Sequence, residues 1–108
     1  MLSKIKILAK CNVFSFVPIA FFRQNNKKIL ATKDTDIVIE GFWRCANHYA
    51  VFAFKNAEKD INIAHHFHAS AQIKIAIKKN IPSLVLIRNP FDCIASCFSH
   101  TFMGCLRQ

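Results

Sequence analysis

The sequence predicts an α/β fold in which helices flank a parallel sheet, forming an incomplete three-layer sandwich. Short apolar runs typical of strands alternate with amphipathic segments typical of helices, three of each. This alternation is typical of a parallel sheet with right-handed crossovers. A polar cluster also follows each predicted strand. Because parallel sheets bind ligands beyond the carboxyl ends of their strands, these clusters are the candidate functional residues.

Length and composition limit the classes of protein to consider. A chain of 108 residues forms one small domain at most, and a hydrophobic fraction of 53% excludes a disordered chain. Fifteen Lys and Arg residues against six Asp and Glu give a net charge of +9. This excess favours an anionic partner, such as a nucleic acid, nucleotide, phosphate, sulfate or anionic membrane. A basic domain without such a partner is the alternative.

The cysteines indicate a reducing compartment. There are five of them, none in a CxxC pair, and no secretory pattern accompanies them. We therefore expect reduced thiols and a cytoplasmic location. The cysteines are Cys11, Cys45, Cys93, Cys97 and Cys105.

Residues 1–34 form an apolar and basic segment that precedes the α/β part, residues 35–108. The uncharged run Cys11–Phe22 is too short to span a bilayer, and no signal-peptide cleavage site follows it. We expect a packed helix or strand interrupted at Pro18, with a membrane-surface helix as the alternative. Arg23–Lys28 is predicted to be a polar loop, and Ile29–Ala31 a short apolar run.

The first predicted strand is the β-branched run Asp36–Glu40, which ends in a sharp turn at Gly41. A helix is predicted from Asn47, because asparagine is a good N-cap. One face of this helix would carry Tyr49, Phe52, Ala53 and Asn56.

The second predicted strand is Asp60–His66, where polar and apolar residues alternate. Ser70 can cap the helix that follows, and Asn80 and Pro82 end it. Its apolar stripe would be Ile73, Ala76 and Ile77, opposite Lys74, Lys78 and Lys79.

The third predicted strand, Ser83–Ile87, is continuously apolar, as expected of a strand buried on both faces. Pro90 suits the first turn of the next helix, and Asp92 suits its positive end. The buried side of this helix would be Ile94, Ala95, Phe98 and Phe102.

The loop after the first strand has the chemistry of an anion site. Gly41 leads to Arg44 and to a helix N-terminus, whose N–H groups and dipole attract a phosphate or sulfate. Gly41 matches the first glycine of the Walker pattern GxxxxGK(S/T), but residues 46–48 read Ala-Asn-His where Gly-Lys-Ser/Thr should stand. We therefore do not expect ATP or GTP hydrolysis. A plain strand-to-helix turn is the alternative.

Arg88 and Ser96 form a second candidate anion site after the third strand. An arginine fork can bind a tetrahedral anion, and a serine hydroxyl two turns into the helix can add a contact. The alternative is a surface arginine and an ordinary helical serine.

Together these two motifs resemble the sulfotransferase family, the enzymes that use 3′-phosphoadenosine 5′-phosphosulfate. In that family a loop of the type Pro/Trp–Lys/Arg–Ser/Cys–Gly–Thr/Asn–Thr/His–Trp follows a strand, and here Trp43–Tyr49 reads WRCANHY. A later strand ends in Arg–Asn/Asp–Pro–x–Asp–x–x–x–Ser, which Arg88–Ser96 matches at every fixed position. Ala46 departs from the family's glycine, and His48 from the hydroxyl residue of most members. The resemblance covers about Thr35–His100.

The resemblance implies a P-loop NTPase-like fold and the transfer of a sulfuryl group from that donor to a hydroxyl or amine. The acceptor would be a small molecule or carbohydrate. Arg44, Cys45, Ala46, Asn47 and His48 would hold the 5′-phosphosulfate, and Arg44 would also stabilise charge as the S–O bond breaks. The 3′-phosphate would be held by Arg88 and Ser96. No metal is needed for such a transfer, and we expect neither a nucleic-acid partner nor a membrane span.

A histidine cluster follows the second strand, in the segment Ala64–Ser70. In an extended segment His66 and His68 share a face, and His65 points away from it. Members of the family often carry a histidine here that acts as general base, so both His66 and His68 are candidates. A zinc site and a surface or packing role are alternatives, although two histidines on a strand supply only two ligands.

The chain is shorter than a complete enzyme of this family, which has roughly 250 residues or more, in the usual size range of such domains. We therefore expect a fragment, a truncated reading frame or part of a split protein, with uncovered sheet edges. One alternative is a basic nucleic-acid- or nucleotide-binding module, although no RNP, KH, zinc-finger or helix-turn-helix pattern occurs. The other is an inactive remnant of the fold.

Overall fold

The computed structural model describes residues 2–24 and 28–105, which form five helices and three strands. From the first strand onward, strands and helices alternate, so the predicted α/β class is confirmed. The elements are α1 (Leu2–Cys11), α2 (Val13–Arg23), β1 (Ile37–Gly41), α3 (Asn47–Ala57), β2 (Ile63–His65), α4 (Ser70–Lys78), β3 (Ser83–Leu86) and α5 (Pro90–Cys105).

The strands form one parallel sheet with the order β2-β1-β3. Ile39 in the central strand pairs with His65 on one side and with Leu84 on the other. The chain thus leaves β1 first toward one side and later reaches β3 on the opposite side. Such a reversal opens a crevice at the carboxyl ends of the two diverging strands. The loops after β1 and β3 lie at this crevice.

The core lies on both faces of the sheet. Val38 packs on one face with Phe16 of α2 and Ile75 of α4. The next residue, Ile39, points to the other face and packs with Val51 of α3. Because adjacent residues of β1 are both fully buried, the interpretation of this run as a buried strand is confirmed.

Helix α2 runs through Pro18, so the predicted interruption there is wrong. Asn12 caps the helix, since its side-chain oxygen accepts a hydrogen bond of 3.0 Å from the Phe14 N–H. Pro18 deprives the Phe14 carbonyl of its helical partner, but both residues lie on the exposed side. The missing helical hydrogen bond therefore costs little free energy at this position, because the Phe14 carbonyl is on the side that faces water.

The segment that precedes β1 is joined to the sheet domain. The ring of Phe16 packs edge-on against Phe67, with centroids 5.3 Å apart. Ile29 pairs with His65 in an isolated antiparallel bridge. Residues 25–27 of the predicted polar loop Arg23–Lys28 lie outside the described residues.

Within residues 2–24 and 28–105, no single helix is both long and apolar enough to cross a membrane. The stretch Lys4–Cys11 of α1 and helix α2 pass such a test only when they are taken together, and they are bent by 100° at the break between them.

Helix α3 begins at Asn47, as predicted, but the cap and the buried face differ from the prediction. Ala46 stands at the N-cap position without a side-chain cap bond. Tyr49 and Phe52 are exposed, whereas Val51 and Phe54 face the sheet. Aromatic residues lie on both sides of this helix, so the contact with Ile39 rather than the pattern of apolar residues decides its rotation.

Helix α4 begins at the predicted serine, although Ala69 is its cap residue. Ala76 is buried as predicted, but Ile77 is exposed and Ile75 takes its place in the core. Gln72 is also fully buried. Its amide hydrogen bonds, described below, hold the helix in this rotation, and the three lysines are exposed as predicted.

The predicted burial of β3 and α5 is wrong. Val85 of β3 is 53% exposed and Ile87, directly after the strand, is 91% exposed, because β3 lies at the edge of the sheet and no described element packs over these side chains. In α5 the expected buried side is exposed, and among the side chains that the structure describes in this helix Cys93 is the buried one. In the part of the chain that the structure describes, no element covers the outer edge of β3. The exposed α5 residues are Ile94, Ala95, Phe98 and Phe102.

Candidate functional site

The loop after β1, residues 42–46, has an unusual backbone conformation. Arg44 has a φ of 65° and Ala46 a φ of 62°, both in the left-handed region. The Cys45 N–H closes a turn by donating to the Phe42 carbonyl over 3.3 Å. A side chain makes this conformation cost roughly 1–2 kcal/mol per residue. The loop therefore stores backbone strain directly in front of the N-terminus of α3.

Gly41 ends β1, but the prediction that it makes the sharp turn is wrong. It does not have a positive φ. Its importance is steric, because a Cβ atom there would lie 2.7 Å from the Leu86 carbonyl oxygen and 2.7 Å from Asn47 Oδ1. Leu86 is the partner of Gly41 in β3. The glycine thus lets β3 and the start of α3 approach the end of β1 closely.

Three residues from the two sequence motifs meet at the crevice. Arg44 Nε donates a hydrogen bond to Ser96 Oγ over 2.9 Å. An N–H of the Arg88 guanidinium donates to the Arg44 carbonyl over 3.2 Å. All three bonding groups are exposed or half-exposed, so they remain accessible to a ligand. The loop after β1 and the N-terminal part of α5 are therefore one site.

Below these residues, two thiols join the same pair of segments. Cys45 Sγ and Cys93 Sγ lie 3.5 Å apart, and both residues are buried. Burial raises the pKa of the Cys93 thiol, and the Cys45 thiol raises it further. Cys11, Cys45, Cys93 and Cys97 are free thiols, as expected, and the Cys105 side chain lies outside the described part. The packing of the Cys45–Cys93 pair fixes the loop against α5.

Glu40 supports the histidine segment, a role that was not predicted from the sequence. Its carboxylate accepts hydrogen bonds from the backbone N–H of Phe67 (3.0 Å) and of His68 (2.8 Å). The side-chain amide of Gln72 donates a third bond of 3.0 Å. Burial raises the pKa of Glu40, while the three hydrogen bonds oppose that shift. An acidic residue inside an apolar strand was the signal that could have revealed this group.

Gln72 ties several segments together around that carboxylate. Its amide nitrogen also donates to the Ile29 carbonyl over 3.1 Å, and its oxygen accepts from the Ala31 N–H over 3.2 Å. The glutamine is fully buried. The segment that leads into β1, helix α4 and the turn after β2 are thereby held in one arrangement.

His65 and His66 are buried and hydrogen-bonded to each other through their Nδ1 atoms. The His66 ring also lies 4.2 Å from the His48 ring, centroid to centroid. Burial, followed by the charges of neighbouring basic groups, lowers the pKa of both residues to about 4. Neither Nε2 atom has a hydrogen-bond partner among the described residues. Both imidazoles are therefore neutral at pH 7.

His68 is placed differently. Its Nδ1 lies 2.6 Å from the Gly41 carbonyl oxygen, which can only accept, so Nδ1 carries the proton. In the neutral ring Nε2 is then the acceptor. Burial lowers the pKa of His68, whereas the bond to the Gly41 carbonyl raises it. His66 and His68 both have positive φ, at 69° and 51°, a conformation that the Glu40 bonds to the His68 and Phe67 amides hold in place.

A cavity of about 550 Å³ opens over these groups at the carboxyl ends of β1 and β3. Eight of the nine site residues chosen from the sequence line it. Cys45 is the exception, because its thiol points into the core. The eight are Arg44, Ala46, Asn47, His48, His66, His68, Arg88 and Ser96.

The cavity wall also contains residues that were not chosen. His100 lies one helical turn after Ser96 in α5, and this spacing was the signal that could have identified it. In all, two arginines and four histidines line the cavity, and no carboxylate does among the residues that the structure describes. The other additional lining residues are Trp43, Tyr49, Cys97 and Thr101.

The described ranges contain no group of three or more His, Cys, Asp or Glu side chains that could hold a metal ion. The described lining of the cavity offers guanidinium groups, imidazole rings, hydroxyl groups, a side-chain amide and a thiol.

No family model, curated protein or solved structure matches the chain.

Proposed function

We propose that the protein is sulfotransferase-like, with a P-loop NTPase-like fold. It would bind 3′-phosphoadenosine 5′-phosphosulfate and transfer the sulfuryl group to a hydroxyl or amine. The observation that carries this proposal is the 2.9 Å hydrogen bond from Arg44 to Ser96. It joins the residue proposed for the 5′-phosphosulfate to one proposed for the 3′-phosphate, inside a single cavity.

The charge of the cavity supports a ligand with more than one anionic group. Two guanidinium groups belong to the wall, without a carboxylate among its described lining residues. Arg88 uses one N–H on the Arg44 carbonyl, and a guanidinium has five. The remaining donors can take a phosphate in a forked arrangement.

The conformation of Ala46 supports the same proposal. Ala46 stands where the family motif has glycine, and its φ of 62° lies in the region that glycine adopts without steric cost. The departure from the motif therefore changes the residue but keeps the backbone conformation for which glycine is suited.

We propose His68, rather than His66, as the general base. The Nε2 of His68 is the free acceptor of a ring fixed by the Gly41 carbonyl, whereas the Nε2 of His66 is buried. The hydroxyl oxygen or amine nitrogen of the molecule that receives the sulfuryl group would attack sulfur and give its proton to His68 Nε2. The bond from sulfur to the phosphate oxygen would break, and adenosine 3′,5′-bisphosphate would leave. Arg44 would stabilise the charge on that oxygen.

The test is a titration with adenosine 3′,5′-bisphosphate and with adenosine 5′-monophosphate. We expect the bisphosphate to bind more tightly, because Arg88 and Ser96 would contact the 3′-phosphate. Arg88→Ala should weaken bisphosphate binding by roughly 10–100-fold, since a hydrogen bond to a charged group contributes about 1.5–3 kcal/mol. Arg23→Ala is the matched control, because Arg23 is an exposed arginine outside the cavity.

One result of this titration would overturn the proposal. If both nucleotides bound equally weakly while nucleic acid bound tightly and with strong salt dependence, the protein would be a nucleic-acid-binding module. The net charge of +9 is the observation behind that alternative.

A further inference from the structure

Helix α2 carries large apolar side chains on the side that faces away from the core. Phe16 and Ala20 are buried against the rest of the protein. On the opposite side, Phe14, Phe21 and Phe22 are 88%, 69% and 87% exposed. A helix on the surface of a globular protein normally has polar residues on that side.

The exposed apolar residues of α2 form a continuous stripe. Together with Val17 and Pro18, the three phenylalanines occupy positions i, i+3, i+4, i+7 and i+8, which lie along one side of a helix. Ile5 and Leu8 of α1, which are 58% and 68% exposed, line one surface pocket together with Phe14. Contiguous exposed apolar surface of this kind marks a site of interaction.

The charge around this stripe has one sign. The first acidic residue of the chain is Asp34, so residues 1–33 contain no carboxylate side chain. Lys10 precedes α2, Arg23 ends it and Lys28 follows, and all three are exposed. Lys4 and Lys6 add exposed cations on α1. An apolar stripe with cations at both ends is complementary to a surface that is apolar inside and anionic outside.

We propose that α2 lies in the plane of an anionic phospholipid membrane. Phe14, Phe21 and Phe22 enter the boundary between head groups and acyl chains, and the flanking cations contact the head groups. A second copy of the chain is a poorer partner, because it would bring the same cations face to face. This inference does not depend on the proposed function.

The first experiment is co-sedimentation of the full chain with phosphatidylcholine vesicles, with and without phosphatidylserine. We expect binding to the vesicles that contain phosphatidylserine, and weakening of that binding by added salt. Phe14→Ser/Phe21→Ser/Phe22→Ser should lower the binding at least tenfold. The matched control is Phe91→Ser/Phe98→Ser/Phe102→Ser, which alters three exposed phenylalanines of α5 and should bind as the wild type does.

The second experiment tests the charges. Lys4→Gln/Lys6→Gln should weaken vesicle binding by tenfold or more, since each cation near an anionic surface contributes about fivefold. Lys55→Gln/Lys59→Gln removes two exposed lysines elsewhere and should have little effect. Circular dichroism of each variant would establish that the helices remain intact.

Three results would overturn the proposal. The first is the absence of vesicle binding by the wild type, and the second is equal binding to neutral and anionic vesicles. The third is a wild-type dimer that dissociates when the three phenylalanines of α2 are replaced, without vesicle binding. That result would assign the stripe to an interface between copies.

Discussion

Two small residues, Gly41 at the end of β1 and Ala46 at the N-cap of α3, have opposite backbone requirements. Gly41 has no left-handed φ, yet a Cβ there would meet the Leu86 carbonyl at 2.7 Å. Ala46 has room for its methyl group but adopts a φ of 62°. Position 41 therefore needs glycine because there is no room for a Cβ atom. Position 46 would accept glycine because glycine adopts a positive φ without steric cost.

Gly41→Ala should destabilise the fold by about 1–3 kcal/mol, the usual cost of forcing an extra group into a packed site. The contact atom on β3 belongs to the backbone, so it cannot rotate away as a flexible side chain could. The free energy of unfolding in urea would measure the effect. An unchanged midpoint would show that β1 and β3 can separate there without cost.

Ala46→Gly should leave the stability unchanged or raise it by up to about 1.6 kcal/mol. It removes the left-handed cost of roughly 1–2 kcal/mol, less about 0.4–1 kcal/mol for the greater freedom of the unfolded chain. Ala53→Gly is the matched control, because Ala53 is an exposed residue inside α3. It should lose about 1 kcal/mol. If both variants lost the same amount in thermal unfolding, the strain assigned to Ala46 would be wrong.

Between elements, one carboxylate joins the end of β1 to the turn after β2. Glu40 accepts from the Phe67 and His68 amides and from Gln72. The two amides belong to the segment in which His66 and His68 adopt positive φ. Glu40 is therefore a positioning residue for the histidines.

Glu40→Ala should cost about 2–3 kcal/mol, because each buried N–H left without an acceptor costs roughly 1–3 kcal/mol. Removal of a buried carboxylate offsets part of this loss. Amide hydrogen exchange would report the local effect, with faster exchange expected at Phe67 and His68. Glu58→Ala, at an exposed glutamate after α3, should change neither quantity.

The elements differ in how far the sequence determines them. All three strands and the helices α3, α4 and α5 lie where the apolar runs predict them, although β2 is shorter than predicted and the expected caps Asn47 and Ser70 are the first residues of their helices. The rotation of α3 and α5 was not predictable, because both helices carry apolar residues on more than one side. The exposure of β3 depends on which strands flank it, and the order β2-β1-β3 is a property of the whole sheet.

Across the whole molecule, the convergence of the site residues was predictable for a simple reason. The carboxyl ends of parallel strands meet at one edge of a sheet, so clusters after β1, β2 and β3 come together there. The left-handed conformations of Arg44, His66 and His68 were not predictable, since none of these residues is glycine. The contribution of Glu40 was also missed, because an acidic residue near a strand end usually faces solvent.

The buried histidines make the stability of the whole protein depend on pH. The pKa of His66 is about 4 in the folded protein and 6.5 without burial. Between these values the unfolded chain binds protons that the folded protein excludes. The free energy of unfolding should therefore fall as the pH falls from about 6.5 to about 4. His65, whose pKa is also lowered, likewise makes the free energy of unfolding fall as the pH falls. Glu40, whose pKa is raised, makes it rise as the pH falls.

His66→Asn should flatten this pH dependence, because asparagine tolerates a positive φ and does not titrate. Urea unfolding of the wild type and of the variant at several pH values would measure the difference. Identical slopes for the wild type and His66→Asn would contradict the prediction.

The buried pair of Cys45 and Cys93 can report local opening beside the site through the reactivity of its thiols. One thiol belongs to the loop that follows β1, the other to the helix that follows β3, and they lie 3.5 Å apart. Both residues are buried, so an alkylating reagent should react with either sulfur faster when the loop and α5 separate. The rate of labelling, compared with that of exposed Cys11, would therefore measure local opening between the loop and α5. A ligand that bridges Arg44 and Arg88 would lower the labelling rate of both cysteines without contacting a sulfur atom.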